Sequence, residues 1–354
     1  MNRLESILDN LRAGLVLPAM PLALRSNRKL DERRQRALCR YYAAAGAGGI
    51  AVGVHTTQFE IRDPKHGLHE PVLALVADEL DRQDGSTQTP KVRVAGICGS
   101  TTVAVHEARL AHDLGYHLGL LSLGNLADAD ENALITHCRV VAEVLPLFGF
   151  YLQPAVGGRY LSYAFWRRFC EIPQVVAIKL APFNRYRTID VVRAVADSGR
   201  EDIALYTGND DSIITDLITP FRFDLQGAFV ERRIVGGLLG HWSVWTQRAV
   251  ELLAECHHTT RTEKAIPHEL MRRAAEVTDA NAALFDAAHD FHGCLVGLHE
   301  ILRRQGILEG VWTLDPRVGL SPEQDQEIDR VCRAYPHLND DEFVAEHRDK
   351  WLRN

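Results

Sequence analysis

Lysine is scarce in this chain: six of its 40 basic residues, the rest being arginine. Five of the six (Lys29, Lys65, Lys91, Lys264 and Lys350) have polar or turn-forming neighbours; one does not. No apolar run reaches membrane-spanning length, and residues 1–15 lack a basic-then-apolar leader. A membrane partner is therefore not expected, and the cytoplasm is the expected compartment. A net charge of -7 and a pI near 6.1 argue against nonspecific nucleic-acid binding. Paired-cysteine motifs are missing too. The seven cysteines (Cys39, Cys98, Cys138, Cys170, Cys256, Cys294 and Cys332) stand singly, mostly among apolar neighbours. Such an odd, scattered set suits small core residues in a reducing compartment. His257-His258 is adjacent in sequence, which does not put both rings on one helix face, so no metal is expected. No glycine-rich dinucleotide fingerprint follows the first apolar stretch, and no cofactor is expected.

The exceptional lysine lies in Val175-Val176-Ala177-Ile178-Lys179-Leu180-Ala181-Pro182, which reads as a short buried strand. Burying an ammonium there costs several kcal/mol unless it is paired or loses its proton. From a free pKa of about 10.4, holding the amine neutral at pH 7 costs roughly 4 to 5 kcal/mol. Desolvation supplies much of that, and it is how Schiff-base lysines are activated. The bland alternative is a lysine at the strand end whose head reaches solvent.

Around this stretch, strand and helix alternate. Apolar strands are expected at 14–24, 49–54, 92–98, 117–122, 148–152, 175–180, 203–206 and 234–239. Helices are expected at 30–45, 71–80, 103–114, 131–145, 161–169, 189–196 and from about 240 through 251, with a loop at 81–91. Leu4, Ile7, Leu8 and Leu11 form an apolar stripe that predicts a further helix at the N-terminus. Eight such units predict an α/β fold, the (β/α)8 TIM barrel, over residues 1–253. Residues 254–354 predict a C-terminal helical region, with helices at 282–289, 294–305 and 321–335.

In a barrel of this kind the strand ends converge on one mouth, where active sites lie. The set read there is Pro18, Met20, His55, Thr56, Thr57, Gly99, Ser100, Gly124, Asn125, Tyr151, Lys179, Asn209, Asp210 and His241. Lys179 and Tyr151, on neighbouring strands, form a usable pair. A phenol can carry protons to and from a carbinolamine beside a lysine amine.

Here the chain resembles the dihydrodipicolinate synthase and N-acetylneuraminate lyase family of class I aldolase-type barrels, over roughly 14–253. The resemblance rests on Pro18-Ala19-Met20-Pro21-Leu22, on Thr56-Thr57 against the family's Gly-Thr-Thr-Gly-Glu, and on Ala95-Gly96-Ile97-Cys98-Gly99-Ser100. Tyr151-Leu152-Gln153-Pro154 stands against its Tyr-Asn-x-Pro, Ala177-Ile178-Lys179 against its Gly-Ile-Lys, and Gly208-Asn209-Asp210 against its Ser-Gly-Asp. It implies an imine between Lys179 and the keto carbon of a 2-oxo acid such as pyruvate. Tyr151 is implied to move protons, and Thr56 and Thr57 to hold the carboxylate. A homodimer or homotetramer is implied as well.

The chain also departs from that pattern. Both family glycines and the glutamate around Thr56 are gone, with His55 and Gln58 in their surroundings, so His55 is a candidate acid-base or substrate contact. Gly124-Asn125-Leu126 stands where the synthases carry a relay tyrosine, and Ala155-Val156-Gly157-Gly158 where they carry an arginine. Dihydrodipicolinate synthesis itself is therefore not expected. Arg185 or Arg187 could replace that arginine, since a guanidinium grips a carboxylate bidentately. Asn209 is a further substrate candidate, though Asn209 and Asp210 also suit a helix cap. Three functions stay open at this point: a Schiff-base lyase, aldolase or dehydratase; a barrel that has lost its chemistry and serves in binding or regulation; and a barrel enzyme that uses His55 for metal-free hydrolysis without an imine.

Overall fold

The computed structural model describes residues 3–84, 90–262 and 265–353. Lys264 and positions 85–89 of the expected 81–91 loop lie outside the described residues. The chain opens with α1 (Arg3–Ala13), β1 (Val16–Pro18), α2 (Glu32–Ala44), β2 (Gly49–Val52), α3 (His69–Asp84), β3 (Val92–Ile97) and α4 (Thr101–Asp113). It continues through β4 (Leu118–Leu121), α5 (Glu131–Ala142), β5 (Leu147–Leu152), α6 (Tyr163–Phe169), β6 (Val175–Ala181) and α7 (Arg185–Ser198). Then come β7 (Ala204–Thr207), α8 (Ile213–Ile218), a hairpin of β8 (Phe221–Leu225) and β9 (Ala228–Arg232), and β10 (Ile234–Leu239). Five helices close the chain: α9 (Thr246–Thr262), α10 (His268–Leu284), α11 (Cys294–Arg304), α12 (Gln324–Ala334) and α13 (Asp341–Trp351).

Eight parallel strands pair in the order β1-β10-β7-β6-β5-β4-β3-β2, and Ala19 just past β1 bridges to Ala51 of β2. The fold is the expected (β/α)8 barrel with C-terminal helices. Strand parity sorts side chains into two layers. Leu17, Val94, Leu120, Phe148, Ala177, Tyr206 and Leu238 fill the interior, whereas Val52, Ile97, Leu121, Ile178 and Leu205 face the helices. Ile7, Leu8 and Leu11 of α1 join the interior cluster and close its N-terminal end. The Tyr206 hydroxyl fastens that plug, donating to the Leu11 carbonyl at 2.8 Å and accepting the Leu15 N–H at 3.1 Å. The barrel interior is thereby closed at this end.

Several boundaries differ from expectation, each for a local reason. β1 is three residues long, not the whole of 14–24, because Pro18 and Pro21 lack the N–H a ladder needs. α7 begins at Arg185, four residues before 189, because the Asn184 side chain caps it by accepting the Arg187 N–H at 3.2 Å. The expected helix at 282–289 is split: α10 ends at Leu284, and the chain turns at Asp286 in the left-handed region (φ 57°). α9 runs through the division expected between 253 and 254. The later helices also bind the barrel directly. Asn281 of α10 donates to the Asp210 carbonyl, and Thr278 to the Asp211 carbonyl at 2.9 Å. Among the described residues, no helix is long and apolar enough to cross a membrane.

Candidate active site

Lys179 sits on the inward parity of β6, between Ala177 and Ala181 of the interior cluster. It is 8% exposed, and its stem fits because residue 208 is glycine. A β-carbon at Gly208 would stand 2.5 Å from Lys179 Cε. Phe150 is the register partner of Lys179 on β5, and the Lys179 Nζ lies over that ring, 4.6 Å from its centroid. Burial pulls the amine's pKa down to about 8, while the Asp210 carboxylate opposes the shift.

Asp210 follows the end of β7 and is 7% exposed. Its Oδ1 accepts the His241 N–H at 3.2 Å, and the Asn281 bond to its carbonyl fixes the turn. Burial pushes its carboxyl up to about 7, opposed by Lys179. Burial thus drives both groups toward neutrality while each supports the other's charge, so one proton is readily shared. A cavity of about 60 Å³ opens on the pair, walled also by His55, Thr56, Gln153 and Phe150. The His55 imidazole is held neutral, its pKa lowered to about 4 by burial and by the nearby Lys179.

Lys179, His55, Thr56 and Asp210 of the residues expected at the mouth therefore meet at one cavity, whereas Thr57, Tyr151, Arg185 and Asn209 do not line it. Tyr151 is a correction. Its phenol faces the helix layer against Trp166, with ring centroids 5.3 Å apart, and its hydroxyl donates to the Leu161 carbonyl at 3.2 Å. The outward parity of Tyr151 turns its phenol away from the interior face on which Lys179 lies. Tyr151→Phe is accordingly expected to change turnover less than about threefold while costing about 1 kcal/mol of stability. Steady-state rates together with denaturant midpoints check both.

Thr57 is fully buried, and its hydroxyl donates to the Met20 carbonyl at 2.8 Å and accepts the Gly53 N–H at 3.0 Å. The Thr56 hydroxyl donates to the Ala19 carbonyl at 2.7 Å. Both hydroxyls tie β1 to the β2 loop instead of pointing at a ligand. Arg185 pairs with the buried Asp216 on α8, and the Arg187 guanidinium stacks on Tyr160, 3.4 Å from the ring centroid. Asn209 donates to Asp216 at 2.9 Å and Thr188 at 3.1 Å, and accepts the Phe183 N–H at 3.0 Å. It shapes the mouth without lining it. Neither Asn209 nor Asp210 caps α8, whose N-cap is Ser212.

Sequence reasoning placed Asp210 at the mouth but favoured a helix-cap role for it, and it passed over Gln153, which lies in a loop, and Phe150, which reads as one more apolar strand residue. Phe285, Phe291 and Cys294 reach the cavity from the C-terminal region, with no local signal to mark them. Among the described residues, no group of three or more His, Cys, Asp or Glu side chains is placed to hold a metal ion.

No family model matches the chain, and no curated protein matches its sequence. Solved structures do. Dihydrodipicolinate synthase of Bacteroides thetaiotaomicron superposes with a TM-score of 0.72 at 18% identity, covering 91% of this chain and 98% of that one. CdNal of Clostridium difficile, solved with mannosamine, gives 0.69 at 15% identity, covering 91% and 99%. The chloride-inhibited dihydrodipicolinate synthase of Acinetobacter baumannii complexed with pyruvate gives 0.70 at 17%, covering 91% and 98%. Over nine-tenths of its length, this chain has the barrel-plus-helices fold of the dihydrodipicolinate synthases and of CdNal.

Proposed function

We propose that the protein is a lysine-dependent lyase or aldolase acting on a 2-oxo acid of the pyruvate type. The observation that carries this reading is a buried lysine and a buried carboxyl facing one small cavity at the open end of the barrel. The neutral Lys179 amine attacks the keto carbon, and the C=O π pair moves to oxygen. One proton passes from the attacking nitrogen to that oxygen, giving a carbinolamine; Asp210, protonated, supplies the second, and the oxygen leaves as water as the nitrogen lone pair forms the C=N bond of an imine protonated on nitrogen. The Asp210 carboxylate then takes a proton from the adjacent carbon; the C–H pair becomes C=C, and the C=N π pair returns to nitrogen. The resulting enamine carbon can attack an aldehyde, and the reverse sequence cleaves the same bond. Gln153 and the neutral His55 are the polar side chains left to meet the carboxylate.

Pyruvate bound in the Acinetobacter neighbour supports the head group. The pairing of Arg185 with Asp216, together with the position of Arg187 on Tyr160 away from the cavity lining, supports a product other than dihydrodipicolinate. His55 and Phe183 wall the cavity without filling it, which favours chemistry over a binding barrel. Borohydride added to the protein with pyruvate is expected to fix the three-carbon unit on Lys179, read as a mass increment on the peptide carrying it. Labelling at another lysine, or none with any 2-oxo acid, rules the reading out. By the same reading the protein works as a homodimer or homotetramer.

A further inference from the structure

The mouth beyond the lysine is built from phenylalanine. Phe183, Phe285 and Phe291 wall the inner cavity and also a larger hollow outside it, of about 400 Å³, that reaches over α10 to Ala282 and Ala287. Phe183 and Phe291 meet edge to face, with centroids 5.9 Å apart at 69°. Both occupy left-handed backbone positions, φ 48° and 67°, which bulky side chains rarely adopt. Asp286 and Asp290 beside them are left-handed as well, at 57° and 51°. Strain of this kind persists only where the surroundings impose it, and here they do. Asn209 holds the Phe183 N–H, and the Asp286 carboxylate accepts the Gly293 N–H at 2.9 Å and the Ser321 hydroxyl. Two separate turns thus hold strained backbone that brings aromatic rings together at one entrance.

The polar inventory of the hollow is short. Among the described residues, no arginine lines it, and no lysine other than Lys179 lines either space. Asn281 and Thr278 are already donating to the carbonyls of Asp210 and Asp211, and those two carboxyls repel a second anion. A dicarboxylate would lack a cation there, and a sugar chain would find few partners, Gln153 and the Asp210 and Asp211 carboxyls among them, against a wall of rings and alanines.

We infer that the substrate carries an apolar, aromatic group beyond its 2-oxo acid head, seated among Phe183, Phe285 and Phe291. The inference rests on the Lys179 reading and names what lies past the reacting carbons. The rings exclude water from the enamine and discriminate by stacking and apolar burial.

The test uses borohydride trapping on the full chain with four probes: pyruvate, 2-oxo-4-phenylbutanoate, 2-oxoglutarate and a six-carbon 2-oxo-3-deoxy sugar acid. The phenyl acid is expected to half-saturate labelling at a concentration at least about tenfold below the two polar-tailed acids. Phe291→Ala is expected to bring that ratio close to one. Phe291→Leu, which keeps apolar bulk without the ring, is expected to retain part of it and serves if the alanine variant fails to fold. A polar-tailed acid that labels as well as the phenyl acid overturns the inference and leaves the lysine reading standing, because an adduct still forms. A preference untouched in both Phe291 variants overturns it too. Absence of any adduct, pyruvate included, removes the lysine reading and this inference with it.

Discussion

Lys179→Met is expected to abolish labelling and to lower turnover by about a thousandfold or more, while making the protein more stable at pH 7. The loss follows from removal of the nucleophile, on which every later step depends. The gain follows from burial. Folding lowers the pKa of this amine from 10.5 to about 8. At pH 7 the folded protein therefore carries an ammonium that its apolar surroundings disfavour. Replacing that ammonium with an unbranched apolar side chain relieves up to about 3 kcal/mol. Asp210, already pushed toward its neutral form, tolerates loss of the partner by holding its proton more firmly. The sign with pH is fixed by linkage. Between about pH 8 and 10.5 the unfolded chain binds the proton that the folded lysine has released, so wild-type stability gains with pH from this group and the variant has no such gain. The stability difference should shrink over that interval in denaturant titrations. A variant less stable than wild type at pH 7, or a difference that widens on going alkaline, would mean that the lysine holds the fold together.

How far the sequence discloses such a site depends on the scale of the feature. The barrel is legible because strands buried on both faces are uniformly apolar and alternate with capped helices. Lys179 is legible because a charge in such a strand is costly wherever it occurs. Tyr151 shows where the reading stops. Whether residue 150 or residue 151 faces the interior turns on a one-residue register, and β5 slips against β6 between Leu147 and Phe148. That slip puts Phe150 opposite the lysine and turns the phenol outward. The β8–β9 hairpin had a readable signal, since Phe221, Phe223 and Leu225 alternate with polar residues ahead of Gln226-Gly227. Phe285 and Phe291 had none, because their place depends on how α10 docks through Asn281 on a turn more than 70 positions earlier in the chain.

The same docking puts Asp210 where a proton carrier is needed, and Asp210→Asn separates its role from that of the lysine. The amide keeps size and shape but can neither give nor take a proton at neutral pH. Imine trapping with pyruvate is expected to be slower, since dehydration loses its acid, but to reach the same final extent, because the amine loses the carboxylate field that raises its pKa and becomes more readily neutral. Exchange of the pyruvate methyl protons with deuterated water needs a base at the adjacent carbon, so it should fall about 100- to 1,000-fold. The pH dependence should change shape as well. In the wild type the competent pair holds one proton, with the lysine neutral and the carboxyl protonated. Rates then decline on the acid side, where both are protonated, and on the alkaline side, where neither is. Without a titrating carboxyl the alkaline decline should vanish, leaving one ascending limb displaced to lower pH. A purely structural Asp210 predicts otherwise: labelling and exchange would drop together, with the bell-shaped profile kept. Exchange measured by proton NMR across pH, beside labelling on the same samples, decides whether Asp210, in the turn after β7, carries the proton.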